Sequence, residues 1–512
     1  MLLDYIQIGQ TISVSYYGKD GKTHIKDIQI PDDQFFNWKY CFSPNSKERD
    51  PNRVSWDDKA VKKAFIPYQE TYTDKTSGKK RSRTVNSLSI FRIAEIIDDL
   101  PKDEYDEIFE YNLPRTFFVD IETGIDNELT VKESAVQTRK PITVIGIATP
   151  EKDVIVLSSE KDLTAREKSE IQFDMDNHTK HYGAKFNFRF KCFGSEVAML
   201  KYFLGSMVSK FPMMTGWNFI DFDWKYIVNR STKLGIKDPV KLASPIGKAV
   251  GKDPMFPAHV GVIDYMQAYA KWDTSVQQKE NLKLDQAGSD VLGVKKVSYD
   301  GTLDDLYEKD FKKYVYYNAI DCALVAMLHD KLGVSAIGNT LTYIAKCPTM
   351  RMFSPVSLTE SIMARDYYAQ GKVLPAVEMN SVQQPYDGAY VKKPEVGFHI
   401  NCICNDFASL YPNIIRELNL SPETLVEKLL ETDIAGKKKR LEEGYIVSES
   451  GCVFKQDPGV FSTLVGRVYN QRKSYKKTAV AASIAARLLE DLLKRTDLSD
   501  EEIEREYEKI TG

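Results

Sequence analysis

No C-x-x-C pair joins any two of the seven cysteines, which are scattered from Cys41 to Cys452, so zinc-knuckle and disulfide-framework patterns are excluded. An odd number of free thiols suits a reducing compartment. Cys402 and Cys404 stand close together, but they alternate within an apolar run that reads as a strand, which argues against zinc. Basic excess is missing too: the net charge is −3, so any nucleic-acid contact has to come from local basic patches rather than a global field. No apolar run approaches the ~20 residues of a membrane helix, and Met1-Leu2-Leu3-Asp4 opens no leader pattern. A cytoplasmic protein with no membrane partner is therefore expected. Low-complexity tracts and fixed-period repeats are also lacking. What remains is 42% hydrophobic and 28% charged residues over 512 positions, enough for three or four globular domains of roughly 100–200 residues each.

The opening segment reads as short strands and turns, with a hairpin signal at Tyr17-Gly18-Lys19-Asp20-Gly21-Lys22 and a polar stretch from Tyr72 to Ser87. Arg115 to Val119, Ile142 to Thr149 and Val154 to Ser158 read as a three-stranded meander. Helical periodicity follows over Ser195 to Ser209, a short strand over Met214 to Asn218, and a long helix over Phe311 to Leu332. Further on come an apolar strand, Phe398 to Cys404, and a helix from Gly466 to Lys494 that is basic at its start. Ser499-x-x-Glu502 is a capping box that opens a last, charged helix. His178 and His181 read as loop residues.

Three acidic constellations stand out. Asp120 and Glu122, two apart at the end of a buried strand, project from one face of the sheet. Paired carboxylates of this kind suit hard divalent cations, and a two-ion site needs at least one more acid. Asn218-Phe219-Ile220-Asp221-Phe222-Asp223 follows a strand and puts Asp223 at a helix start. Tyr317-Asn318-Ala319-Ile320-Asp321 places a phenol and a carboxylate four apart on one helical face. Each also has a plain reading: a solvated strand end, an N-cap, and a core aromatic beside an exposed acid. Their combination and order carry the inference.

Phe-Val-Asp-Ile-Glu, Asn-Phe-Ile-Asp-Phe-Asp and Tyr-Asn-Ala-Ile-Asp, in that order, resemble the three exonuclease motifs of family B DNA polymerases, in the style of the T-even bacteriophage replicative enzymes. The resemblance implies a ribonuclease-H-like 3′→5′ exonuclease domain. In it Asp120, Glu122, Asp223 and Asp321 would hold two Mg²⁺ or Mn²⁺ ions and Tyr317 would position water. Asn218 and Phe222 would place the single-stranded 3′ end.

Asn405-Asp406-Phe407-Ala408-Ser409-Leu410-Tyr411-Pro412-Asn413 is similar to the first palm motif of the same family. By that likeness Asp406 and the Phe407 carbonyl would serve two polymerase-site ions, Ser409 and Leu410 would contact the nucleotide, and Tyr411 would exclude a 2′-hydroxyl. Asn413 replaces the Ser of many relatives. Tyr386-Asp387-Gly388-Ala389-Tyr390 resembles the family's template-binding link, which assigns DNA contacts to Tyr386 and Gly388. Arg472 and Lys476, four apart in a segment free of acids, look like the fingers residues that grip an incoming dNTP, although a solvated basic face is the alternative.

The second palm carboxylate, in an Asp-Thr-Asp hairpin, and the fingers Lys-x-x-x-Asn-Ser-x-Tyr-Gly motif are both missing. The expected organisation is an α/β multidomain chain. It comprises a β-rich N-terminal domain (1–113), the exonuclease domain (114–333), a return segment (334–385), a partial palm (386–466) and the first part of helical fingers (467–512). Two explanations fit the missing motifs: a naturally split polymerase completed by a second chain carrying the remaining palm, fingers and thumb, or a shortened form of one polypeptide. The split is the preferred expectation, because the Ala479 to Leu493 apolar face would otherwise stay uncovered. Primer-template DNA, a single-stranded 3′ end, dNTP, that second chain and, through it, a sliding clamp are the expected partners, in a host-cell cytoplasm if the source is viral. An independent exonuclease and a non-catalytic primer-template scaffold remain as rivals.

Overall fold

The computed structural model describes residues 1–41, 47, 49–65, 67–73, 80–86, 88–273, 281–374, 390–494 and 499–511. Tyr386 and Gly388 lie outside these residues. The chain divides into two compact units, the first made of Met1–Asn37 and Phe65–Ile362, the second of Trp38–Ala64 and Met363–Gly512. No helix among the described residues is long and apolar enough to cross a membrane.

The first unit begins with an antiparallel sheet of β1 (Leu2–Ile8), β2 (Thr11–Tyr17) and β3 (Thr23–Gln29). β2 and β3 are joined by the turn foreseen at Gly18 to Lys22, which the Gly18 N–H closes by donating to the Lys22 carbonyl at 2.9 Å. Ile12, Val14 and Tyr16 of β2 pack on Ile93, Ile96 and Ile97 of the helix α1 (Ile90–Asp98). The polar stretch around residue 80 is a hairpin, with Pro67–Thr73 antiparallel to Lys80–Asn86.

The larger part of this unit is a six-stranded mixed sheet. Its strands are β4 (Thr116–Thr123), β5 (Ile142–Ala148), β6 (Asp153–Ser158), β7 (Asn187–Cys192), β8 (Met213–Thr215) and β9 (Gly261–Val262), in the order β7-β6-β5-β4-β8-β9. The expected meander is present as β4, β5 and β6, each antiparallel to the next. β8 then joins parallel to β4 on the other side. β5 is buried along its whole length, as its unbroken Ile-Thr-Val-Ile-Gly-Ile-Ala run requires of a strand covered on both faces. One face carries the helix α2 (Phe311–Leu332), whose bounds match the periodicity of the sequence and whose Tyr314, Ala319, Ala323 and Leu324 sit in the core with Val144 and Val156. The other face packs Leu200, Leu204, Phe219 and Trp224 against Ile145 and Ile147.

His178 is a correction. It lies in the helix Ala165–Thr179, not a loop, with its ring nitrogens bonded to the Tyr316 hydroxyl (2.9 Å) and the Lys295 carbonyl (2.7 Å). His181 falls in the short helical turn Lys180–Tyr182 that follows.

In the second unit a small sheet of β10 (Leu425–Lys428), β11 (Ile446–Val447) and β12 (Cys452–Phe454) has β12 in the middle. Helix α3 (Leu410–Glu417) precedes it, and α4 (Val460–Leu493) follows. A buried polar knot fixes the start of α4: the Asn419 amide donates to the Lys455 and Asp457 carbonyls, while its oxygen accepts from Gly459 N–H and the Ser462 hydroxyl. At the expected capping box the Glu502 carboxylate accepts from the Ser499 N–H and hydroxyl at the start of α5 (Asp500–Thr511).

The strand expected at Phe398 to Cys404 is not formed. Residues 390–407 carry no regular structure, and Phe398, Ile400 and Ile403 are 94%, 75% and 87% exposed. The physical reason is tertiary: a strand is stabilised by ladder bonds and cross-strand packing, and no strand pairs with this run among the described residues.

Candidate functional site

The alternation of β4 sends Asp120 and Glu122 to the face that meets α2, while Val119 and Ile121 go to the opposite core. On α2, Tyr317 and Asp321 present themselves to the same place. Carboxylate oxygens of Asp120, Glu122 and Asp321 lie within 4.8 Å of one another, the single group of that kind among the described residues. Glu122 and Asp321 are buried, and Asp120 keeps partial surface access.

Asp223 arrives from a third direction. β8 leads into Gly216, where a Cβ would fall 2.2 Å from the Val119 carbonyl oxygen, so only glycine lets this segment pass so close to β4. Asn218 then takes a left-handed turn with φ +60, a conformation asparagine tolerates better than most residues. The helical turn Ile220–Trp224 follows and runs on into Lys225–Lys233. The Asp223 carboxylate does not stay within its own turn as an N-cap. It reaches β4 and accepts from Ile121 N–H at 3.1 Å, between the two acids of that strand. Phe222 stays half-buried with its ring 5.7 Å from that of Tyr226.

Sequence reasoning missed Lys296. Its ammonium sits 2.5 Å from Asp321 Oδ2 and 4.7 Å from the centre of the Tyr317 ring. No periodicity marks this lysine; the neighbouring Lys295-Lys296 pair looks like any basic turn, and only the fold turns one of the two inward. Tyr317 packs edge-on against Tyr299 at 5.3 Å.

Electrostatics mark this cluster as unfinished. Burial, then the neighbouring Asp321, pushes Asp120 up to about 7. Burial lifts Asp321 to about 6 even though Lys296 holds it down. Glu122 and Asp223 are raised well above the carboxylate range, by burial first and by Asp120 next. Burial pulls Lys296 down, but Asp321, Tyr317 and Asp120 outweigh it and leave the ammonium firmly charged. Four crowded carboxylates, three of them buried, against one ammonium are unstable as anions unless more positive charge arrives. Asp321 Oδ1 is buried and has no hydrogen-bond partner. An all-oxygen donor set with an orphaned carboxylate oxygen fits a hard divalent cation.

The second set of expected residues is arranged differently. Asp406 is exposed, in the irregular segment before α3, and stands in no acidic cluster among the described residues. Phe407 and Tyr411 are exposed as well, and Leu410 opens α3. Ser409 has φ +52 at the turn into α3 and accepts from Asn413 N–H at 3.1 Å. Asn413 locks the same turn by donating from its side chain to the Ala408 carbonyl at 2.9 Å. Arg472 and Lys476 lie on exposed surface of α4.

Two models of one family match parts of the chain. Residues 86–279 match the family model for the DNA polymerase family B exonuclease domain, and residues 356–495 that for DNA polymerase family B. The DNA-directed DNA polymerase of Escherichia phage RB69 is 30% identical over 331 residues, which cover 62% of this chain and 36% of the relative. That of Enterobacteria phage T4 is 28% identical over 316 residues, 59% of this chain and 35% of the relative. An archaeal relative, DNA polymerase 1 of Sulfurisphaera ohwakuensis, is 27% identical over 321 residues, 57% of this chain and 34% of its own length. The matched stretch thus spans about a third of each relative's length. With both domain models of one family matched in order along it, the chain belongs to family B of the DNA polymerases.

Proposed function

We propose that this chain is a proofreading nuclease that removes nucleotides from a DNA 3′ end, and that it also carries half of a polymerase centre. The observation that supports it best is the meeting of Asp120, Glu122 and Asp321 within 4.8 Å, with Asp223 bonded to the backbone between the first two. These four acids would hold two Mg²⁺ or Mn²⁺ ions. When bound, such a pair lowers the pKa of water and offsets charge on the departing oxygen. Tyr317, one turn before Asp321 on α2, orients the attacking water, and Lys296 holds Asp321 toward its ionised form. Asn218 and Phe222, on the segment that delivers Asp223, place the single-stranded end. The strand order β6-β5-β4-β8-β9, antiparallel on one side of β4 and parallel on the other, supports a ribonuclease-H-like fold for this domain.

For synthesis, Asp406, the Phe407 carbonyl, Ser409, Leu410 and Tyr411 form one side of a nucleotide site, and Arg472 and Lys476 grip the triphosphate. A second chain with the remaining palm, fingers and thumb completes it and brings any clamp. The exposed run around Phe398 and the exposed Val480, Ile484 and Leu488 of α4 support that reading, since apolar surface of this extent marks interfaces. The rival of a non-catalytic scaffold gives no reason for four acids and Tyr317 to share one site. A labelled single-stranded oligonucleotide incubated with Mg²⁺ separates the two: stepwise shortening from the 3′ end is expected, lost in Asp120→Ala. An intact oligonucleotide under all metal conditions contradicts the nuclease reading.

A further inference from the structure

Behind Asp120, at the seam between β5 and α2, Gly146 pairs directly with Asp120 in the β4–β5 register. A Cβ there would lie 2.3 Å from Asn318 Oδ1 and 2.6 Å from Cys322 Sγ, so the missing side chain is the space that the Asn318 amide fills. Asn318 is fully buried and donates from Nδ2 to Asp120 Oδ2 at 2.9 Å. Its own oxygen has no hydrogen-bond partner. The amide can satisfy one of its ends here and turns the donor to the acid, because a carbonyl facing a carboxylate would repel it.

A buried orphan carbonyl destabilises the fold, and leucine, close to asparagine in shape, would avoid that penalty. A residue kept only to fill volume has no use for the amide. We infer that Asn318, seated in the space left by Gly146, is a positioning residue that fixes the rotamer of Asp120 for cation binding. It acts through Asp120 and touches neither substrate nor reacting atoms. This inference rests on the nuclease reading above.

The test is Mn²⁺ binding to the full chain by calorimetry, beside single-turnover hydrolysis at low and high Mn²⁺. For Asn318→Leu, which removes the donor and keeps the packing, Mn²⁺ affinity should fall about 10–100-fold, as for other residues that orient a metal ligand. High Mn²⁺ should restore part of the hydrolysis. Gly146→Ala leaves Asn318 in place but pushes its amide off, and should weaken Mn²⁺ in the same direction; it carries the test if Asn318→Leu does not fold. Mn²⁺ affinity within twofold of wild type in a folded variant overturns the inference. A wild-type chain that binds no Mn²⁺ instead defeats the nuclease reading, so the two failures are distinguishable.

Discussion

Asp120 and Asp406 are both acids that a sequence motif assigns to metal, yet the fold treats them in opposite ways. Asp120 sits where a sheet and a long helix bring three more carboxylates and a lysine around it, each held by strand register, helix phase or a backbone hydrogen bond. Asp406 projects from an irregular, exposed segment and belongs to no cluster of three or more metal-ligating side chains among the described residues. A pre-built site stores its binding free energy as unfavourable burial of like charges, which a cation then relieves. An open half-site stores none and has to gain its partners before it can bind ions at all. The contrast teaches that a motif marks a residue type and a register, while competence depends on what the rest of the fold brings to meet it.

The largest expected effect separates the two acids. Asp120→Ala should lower 3′→5′ hydrolysis about a thousandfold, equivalent to several kcal/mol of lost charge stabilisation, while Asp406→Ala leaves it unchanged; single-turnover assays on labelled oligonucleotide measure both. Equal losses would erase the contrast. Next, Lys296→Met removes the cation 2.5 Å from Asp321 and should slow the same reaction about 10–100-fold.

A third expectation concerns pH. With ions removed by EDTA, Asp120 and Asp321 keep protons in the fold up to about 7 and about 6, whereas an unfolded aspartate releases them near 3.8. Between those limits the folded state binds more protons, so stability in EDTA is full below about pH 4 and falls as pH rises through about 7, losing about 1.4 kcal/mol per pH step for each proton that only the fold retains. Melting curves at several pH values should show that slope, and saturating Mg²⁺ should flatten it. A flat profile in EDTA would mean that the acids are not buried together.

The smallest effect is a difference in labelling. Cys402 and Cys404 are exposed, while Cys322 and Cys347 are buried. A maleimide should modify the first two promptly and spare the others, and a complementary polymerase chain should protect Cys402 and Cys404.

How much of this could be read from the residues follows the same divide. Phe311–Leu332 was legible because one helix carries its own periodicity, and β4 because an apolar run ending in Asp-x-Glu holds its chemistry in a two-residue repeat. Asp223 was legible as an acid near a helix start; its bond to Ile121 N–H was not, since it depends on the parallel pairing of β8 with β4. Lys296 was invisible because nothing local distinguishes an inward lysine from a solvated one. Phe398 to Cys404 misled for the converse reason: apolar alternation states a preference for pairing, and the strand forms only where a neighbour exists.

Anomalous diffraction from crystals of the chain soaked in Mn²⁺ addresses the central claim most directly. The expected result is two Mn²⁺ ions among Asp120, Glu122, Asp223 and Asp321 and none at Asp406. Manganese at Asp406 with the four clustered acids left bare would contradict it.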